Sequence, residues 1–300
     1  MTSRHWDGQM LVFVPALNRA DVVKQSIGFL REHTSPESIV VVLDNGSQPP
    51  LSEVLDWRDP EAGFSVMRLP QNVGNYPTFR VGLEFAAQGQ VDHIAFLHSD
   101  FLMYEHHWDR QVLDQFALFP DLGLIGCVGS NEIDGSGGRG LGTVSNFLGA
   151  HGAHGAEIHG KRAPGLTPAA VIDGCAMIFR TSVLDAIGMR ANFPPHHFYD
   201  KLMSCQVLEA GYKVGVLGLR CDHLGMRTVG FEQAYHDFAH AWAEAHDLPP
   251  YIDDGGNPNW DLTIYLEAER QLLSEYRGQK GLIPCYVDAD WTLHHGSPAR

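Results

Sequence analysis

Short apolar runs alternating with amphipathic stretches govern the first half of this chain, and that rhythm admits few folds. Residues 10–14 (Met-Leu-Val-Phe-Val), 39–43 (Ile-Val-Val-Val-Leu), 65–69 and 93–97 read as strands. Between them, Val23, Ile27 and Leu30 share one helical face, and Phe79, Leu83 and Ala86 share another. Parallel neighbours need a crossover of a dozen or so residues, usually a helix, so strand–helix alternation predicts an α/β fold: a mainly parallel sheet flanked by helices.

The same reading extends along the chain. Pro15 stops the first strand, and Pro77 is tolerable in the first turn of its helix. Val112, Phe116 and Phe119 align on a further helix, and residues 122–128 form a fifth strand. From 130 to 168 glycine and histidine dominate, and a loop of this length inside a compact domain is read as an active-site loop. Residues 171–179 are strand-like, and Ser182-x-x-Asp185 resembles a capping box opening a helix that closes at Gly188. A helix begins near Asp200 and stops at Gly211, followed by a strand over 213–219. Helical patterns over 231–246 and 263–276 then predict a mostly helical C-terminal extension, dividing the chain into 9–230 and 231–300.

Composition excludes several classes. Lys and Arg number 21 against 36 Asp and Glu, a net charge of −15, so bulk attraction to nucleic acid or anionic membrane is not expected. Five widely spaced cysteines without a Cys-x-x-Cys pair argue against a zinc knuckle or disulfide framework and fit a reducing compartment. The first residues lack an apolar signal core, and nowhere do about eighteen apolar residues run together, so no integral membrane segment is expected and the location is read as cytoplasmic.

Acids mark the ends of two buried runs. The second strand ends in Asp44-Asn45-Gly46-Ser47, and the fourth is followed by His98-Ser99-Asp100. In open α/β sheets ligands bind beyond the carboxyl ends of the strands, so two acids at two such ends suggest one site for a nucleotide and its metal. Asp44 is either a turn former or a carboxylate accepting hydrogen bonds from a base or ribose. Asp100 is either a solvent-facing strand end or a ligand for a hard divalent cation on a diphosphate, with His98 more acceptable to Mn2+ than to Mg2+. Asp200, at a helix start, is either a dipole partner or a general base. His223, after the 213–219 strand, is structural or a third metal ligand.

Other signals are weaker. Residues 135–140 formally match G-x-G-x-x-G but do not sit between a strand and a helix, so a dinucleotide fingerprint is rejected. His236 and His240 have i, i+4 spacing that fits a solvated or packing face, and His151, His154 and His159 could bind metal adventitiously. No G-x-S-x-G elbow or P-loop is present.

The order of these pieces is informative. Pro15-Ala16-Leu17-Asn18-Arg19, Leu43–Ser47, Asn72-Val73-Gly74-Asn75, His98-Ser99-Asp100, Asp173-Gly174-Cys175-Ala176-Met177 and Tyr199-Asp200 follow one another, with Ala210-Gly211-Tyr212 downstream. Together they resemble the family 2 glycosyltransferases of the Rossmann-like GT-A fold, over roughly residues 9 to 228. The resemblance implies a nucleotide-sugar donor (UDP-, GDP- or dTDP-sugar), a divalent metal (Mn2+ or Mg2+) and transfer to an acceptor hydroxyl with inversion, an EC 2.4 hexosyltransferase activity. By position, Pro15, Ala16, Asn18, Asp44, Asn72, Gly74 and Ser99 would serve the donor. Asp100, matching the last acid of Asp-x-Asp, would ligate the metal with His98 and His223, and Asp200 would be the base. Two departures stand out: His98 replaces the first acid of Asp-x-Asp, and Tyr199 replaces the Glu that usually precedes the base. Leu202 and Gln206 also stand where a second Asp and an Arg are common.

Two alternatives accompany this reading: a catalytically inactive sugar-nucleotide or glycan-binding protein, and a nucleotidyltransferase of similar fold. The latter normally wants a basic Gly-rich loop after the first strand, which Asn18-Arg19-Ala20-Asp21 lacks. The acceptor is open among a glycan, a protein and a modified nucleic acid. Residues 231–300 would shape the acceptor side or a homo-oligomer contact.

Overall fold

A computed structural model describes residues 10–57, 63–133, 142–149, 161–188, 199–224 and 284–298. It also describes residues 240–241, 243–245, 247–252, 256–260, 263 and 267. The chain begins β1 (Met10–Ala16), α1 (Ala20–His33), β2 (Ile39–Asp44), α2 (Leu51–Val54), β3 (Ser65–Arg68), α3 (Asn75–Gly89) and β4 (His93–Leu97). It continues through β5 (Phe101–Met103), α4 (Trp108–Leu118), β6 (Leu122–Gly126), β7 (Val128–Ser130), β8 (Glu132–Ile133), β9 (Thr143–Ser145) and β10 (Leu166–Ala169). Then come β11 (Val171–Ile172), β12 (Ala176–Arg180), α5 (Thr181–Ile187), α6 (Tyr199–Glu209), β13 (Lys213–Leu217) and β14 (Cys221–His223). Four short strands close the chain: β15 (Tyr251–Ile252), β16 (Pro258–Asn259), β17 (Cys285–Val287) and β18 (Leu293–His295).

Eight strands form the central sheet in the order β10-β13-β6-β12-β4-β1-β2-β3. The pairs β3–β2, β2–β1, β1–β4 and β6–β13 are parallel, whereas β12 and β10 run antiparallel to their neighbours. The expected α/β class and mainly parallel sheet are therefore present. Strands β1 and β2 are almost wholly buried, as a two-faced apolar run requires. Side chains of alternate residues enter two cores: Phe13, Phe96, Phe79 and Phe179 on one face, Val12, Leu97, Trp108 and Ile178 on the other. Helix α3 lies so close to the sheet that a Cβ at Gly82 would come within 2.7 Å of the Phe96 ring.

Several sequence expectations need correction. Strand β1 runs through Pro15 to Ala16; β4 pairs with it only up to Phe13, so the missing N–H of Pro15 breaks no ladder on that side. Residues 122–128 and 171–179 are each two strands, because the chain leaves the central sheet at Cys127 and re-enters it after Gly174 to build a second, three-stranded sheet, β11-β7-β9. The 130–168 segment is not one loop: β9 joins that second sheet and β10 forms an edge of the central one, while 134–141 and 150–160 lie outside the described residues. The Gly-rich 135–140 run and His151, His154 and His159 fall there. Arg180, not Ser182, is the N-cap of α5, and no side chain caps that helix end. Phe119 lies just past α4 and is 36% exposed, whereas Val112 and Phe116 are buried.

The C-terminal part is not simply helical where it is described. Residues 240–241 and 243–245 are helical, but β17 and β18 pair with each other, and β17 also pairs with β8. Buried Cys285 and Val287 seat this hairpin in the main core. His236 lies outside the described residues; His240 packs on Trp260, ring centroids 4.2 Å apart, with Glu244 beside it. All five cysteines are free and buried. Among the described residues, no helix is long and apolar enough to cross a membrane.

Candidate active site

Three strand ends meet at one edge of the sheet. β2, β1 and β4 are adjacent and parallel, so Asp44, Ala16 and Leu97 finish on the same side. Antiparallel β12 starts there, and the His98 N–H donates to the Cys175 carbonyl at 2.9 Å. This is the carboxyl edge where open α/β sheets take ligands.

On the β1–β2–β3 side, side chains knit three loops into a rigid cradle. Asp44, fully buried, accepts from the Ser47 N–H (2.7 Å), the Leu51 N–H (2.9 Å) and Arg68 Nη1 (2.5 Å). Its oxygens are thus committed to the turn and to Arg68, which favours the turn-forming reading of this residue. Asn18, with φ of 56°, latches the first loop to the second: its N–H donates to Ser47 Oγ, and its Oδ1 accepts from the Gln48 N–H. Asn45 reaches the third loop, donating to Asn72 Oδ1 and accepting from the Val73 N–H. Gly46 (φ +86°) has the Gln71 backbone 2.5 Å from where a Cβ would stand, so only glycine lets the two loops touch. Neither Arg68 nor Asn45 was singled out from sequence, because their partners are 24 and 27 residues away.

On the β4 side, His98, Asp100 and His223 converge, with one ligating atom from each within 4.8 Å of the others. Phe101 N–H bonds back to the His98 carbonyl, closing a turn that puts both side chains on one side, and β14 pairs with β5 to bring His223 opposite. His223 Nε2 lies 3.0 Å from Asp100 Oδ1 and 3.3 Å from His98 Nδ1. Burial opposes a charged His223, but the Asp100 hydrogen bond and charge prevail and raise its pKa. Burial likewise opposes ionisation of Asp100, yet the His223 hydrogen bond and the charges of His223 and His98 together outweigh it and keep the carboxyl below its usual range. Burial, assisted by the neighbouring His223, lowers the His98 pKa, against the pull of Asp100, Asp173 and Asp200.

That donor set fits a divalent cation. Two imidazole nitrogens and a carboxylate oxygen lie within 4.8 Å of one another, and imidazole with carboxylate suits Mn2+ and its neighbours better than Mg2+. Among the described residues it is the one such cluster of His, Cys, Asp and Glu.

Asp200 opens α6, and its charge is felt at His98. Its Oδ1 accepts from the Lys201 N–H, and its carbonyl takes the Ser204 hydroxyl, so the helix start is held. Tyr199, next to it, is 5% exposed and places its hydroxyl 2.7 Å from His98 Nε2. A side-chain hydrogen bond from Asn75, at the head of α3, also reaches Tyr199. Asn75 follows Gly74, whose carbonyl accepts from Asn45, and so the cradle and the imidazole cluster are linked through α3. The structure thus brings Asp44, Asn18, Asn72 and Gly74 into one group, and His98, Asp100, His223 and Asp200 into an adjoining one. Pro15, Ala16 and Ser99 lie on the connecting strand ends. Tyr199 and Gly174 are the residues sequence reading undervalued; the departure from the Glu-Asp pair was the signal.

The model of "Glycosyl transferase family 2" matches residues 11–186. A structure of S. aureus TarS 1–349 in complex with UDP-GlcNAc is 16% identical with a TM-score of 0.51, covering 90% of this chain and 71% of that one. A structure of GalNAc-T7 with UDP, GalNAc and Mn2+ is 12% identical with a TM-score of 0.55, covering 72% and 43%. A longer S. aureus TarS, 16% identical with a TM-score of 0.50, is covered to 43% of its length by 90% of this chain. At these identities the likeness is one of fold. No curated protein matches the sequence.

Proposed function

Since this chain belongs to glycosyl transferase family 2, we propose that it moves a hexosyl unit from a nucleotide-diphosphate sugar to an acceptor hydroxyl, with inversion at the anomeric carbon. The observation that carries the reading is the convergence of His98, Asp100 and His223 at the carboxyl end of β4, beside Asp200. The UDP-GlcNAc held by TarS and the UDP and Mn2+ held by GalNAc-T7, on like folds, support a nucleotide-sugar donor and a divalent ion for this chain.

In this reading the Asn18, Asn45 and Asn72 loops seat the nucleoside, and Asp44 with Arg68 keeps their shape. His98, Asp100 and His223 hold Mn2+ in preference to Mg2+. When bound, the ion supplies positive charge to the diphosphate as the sugar bond breaks. Asp200 accepts the proton of the acceptor hydroxyl, positioned by the start of a helix that is buried at Tyr199 and from Leu202 to Leu208. The surrounding acids, Asp100, Asp173 and Asp200, favour a cation beside His98. The acceptor is a glycan, protein or modified nucleic acid, met at a cytoplasmic location.

The decisive experiment is a panel of UDP-, GDP- and dTDP-sugars screened by thermal shift with and without Mn2+, followed by assay of released nucleoside diphosphate. A ligand bound only by the folded state raises Tm. One donor that stabilises the protein only with Mn2+, and is then consumed, is the expected result. Stabilisation without any release would point to a binding protein; no response to any donor would refute the proposal.

A further inference from the structure

Two of the residues that depart from the family pattern touch each other. His98 stands where that pattern has its first acid and Tyr199 where it has Glu, 101 positions apart, and His98 Nε2 lies 2.7 Å from Tyr199 Oη. Resting on the metal-site reading above, we infer that Tyr199 is a positioning residue that fixes the His98 tautomer, holding the proton on Nε2 and leaving Nδ1 bare toward the cation.

The direction of the hydrogen bonds follows from the two ends of one chain. At one end is the Asp100 carboxylate, which only accepts, so His223 Nε2 must carry a proton to donate across 3.0 Å. That N–H disfavours a second N–H on His98 Nδ1, 3.3 Å away, but offers the His98 proton no acceptor; Tyr199 Oη, 2.7 Å from Nε2, is the partner that holds it there. A neutral imidazole then has its proton on Nε2, which donates to Tyr199 Oη. At the other end is the Gly174 carbonyl, also a pure acceptor, 3.3 Å from Tyr199 Oη, where the phenol places its single proton. Asn75 donates to the same oxygen. The reverse arrangement, with Tyr199 donating to His98, leaves the Gly174 carbonyl without this donor and sets two N–H groups against each other at His223.

The site is built around this contact. Tyr199 is nearly buried, its ring 5.3 Å from that of Phe79, and the absent Cβ at Gly174 leaves the room its hydroxyl occupies. A cation held at His223 Nε2 would displace the proton donated to Asp100, whereas His98 would need no change, its lone pair being already exposed through Tyr199. Outer partners of this kind typically alter metal affinity by 10–100-fold.

The test uses the full-length protein and Mn2+. In the ion-free wild type, proton–nitrogen correlation NMR of the imidazoles should report His98 as the Nε2–H tautomer, and Tyr199→Phe should mix the two. Electron paramagnetic resonance of free Mn2+ should show Tyr199→Phe weakening binding by about 10–100-fold. In a His98→Asp background the same Tyr199→Phe change should have no effect, since no imidazole is left to orient. An Nδ1–H tautomer in the wild type, unchanged Mn2+ affinity in Tyr199→Phe, or equal losses in both backgrounds would overturn the inference. Wild-type protein that binds no Mn2+ at all would instead remove the metal-site reading on which the inference rests.

Discussion

Arg68 Nη1 lies 2.5 Å from Asp44 Oδ2, and the carboxylate it meets is fully buried at the end of β2. Arg68 also donates to the Ser47 carbonyl, so one guanidinium closes the turn from both sides. Removing one partner of a buried pair strands the other charge, which costs more than the pair contributes when intact. Arg68→Met should lower stability by about 3 kcal/mol, the lower end for such losses, because the arginine is partly exposed. Urea unfolding would measure it. An unchanged midpoint would show that the Ser47 and Leu51 amides satisfy Asp44 without Arg68.

Asp200→Asn keeps the size of the side chain and its bond to the Lys201 N–H but cannot take a proton. If Asp200 is the base, turnover should fall by about 10²–10⁴-fold while donor-induced stabilisation stays at the wild-type level. Single-turnover assays alongside thermal shift separate the two. A parallel loss of donor affinity would reassign Asp200 to binding.

Much of the fold was legible because it is written in local periods. The β1, β2 and β4 runs and the α1 and α3 faces follow from neighbours in sequence, and Asp100 was legible because an acid abruptly followed a buried strand. What was missed depends on distant partners. The buried partner of Asp44, Arg68, lies 24 residues away, and nothing near Tyr199 reveals His98. The two-residue strands β8 and β11 are too short to carry a period, and β10 is interrupted by Pro168, tolerated because it lies on an edge strand. Ser182-x-x-Asp185 has the composition of a cap without the place, since α5 had already begun at Thr181 directly out of β12.

His93 carries a pH dependence unrelated to chemistry at the site. Its ring stacks on Phe116 at 5.0 Å, and neither buried nitrogen has a hydrogen-bond partner among the described residues. Burial, assisted by the Arg180 charge, pushes its pKa down to about 4. Between that value and the unfolded value near 6.5 the unfolded chain binds the proton and the folded one does not. Stability from the neutral ring is therefore complete above about pH 6.5 and declines as pH falls toward 4, at up to 1.4 kcal/mol per pH unit and about 3 kcal/mol in all. His93→Leu should abolish this share of the decline. Unfolding free energies at several pH values would show the variant gaining on the wild type from neutral to acid; parallel curves would mean His93 is protonated in the fold.

Gly174→Ala tests how firmly Tyr199 is seated. The added Cβ would stand 2.4 Å from the Tyr199 hydroxyl oxygen and 2.7 Å from its Cζ, well inside contact distance. The ring has no free side to move into, since Phe79 lies against it and the residue is buried. Either the ring shifts off His98 or the backbone of the β11–β12 connection moves, and both separate the phenol from the imidazole. Overpacking of this kind costs about 1–3 kcal/mol in stability, while loss of the outer partner should weaken Mn2+ binding by at least about tenfold. Gly165→Ala is the control: a Cβ there meets nothing within 4 Å, so Tm and Mn2+ affinity should both stay at wild-type values. If Gly174→Ala loses stability yet binds Mn2+ like the wild type, the Tyr199 hydroxyl packs beside His98 without governing it.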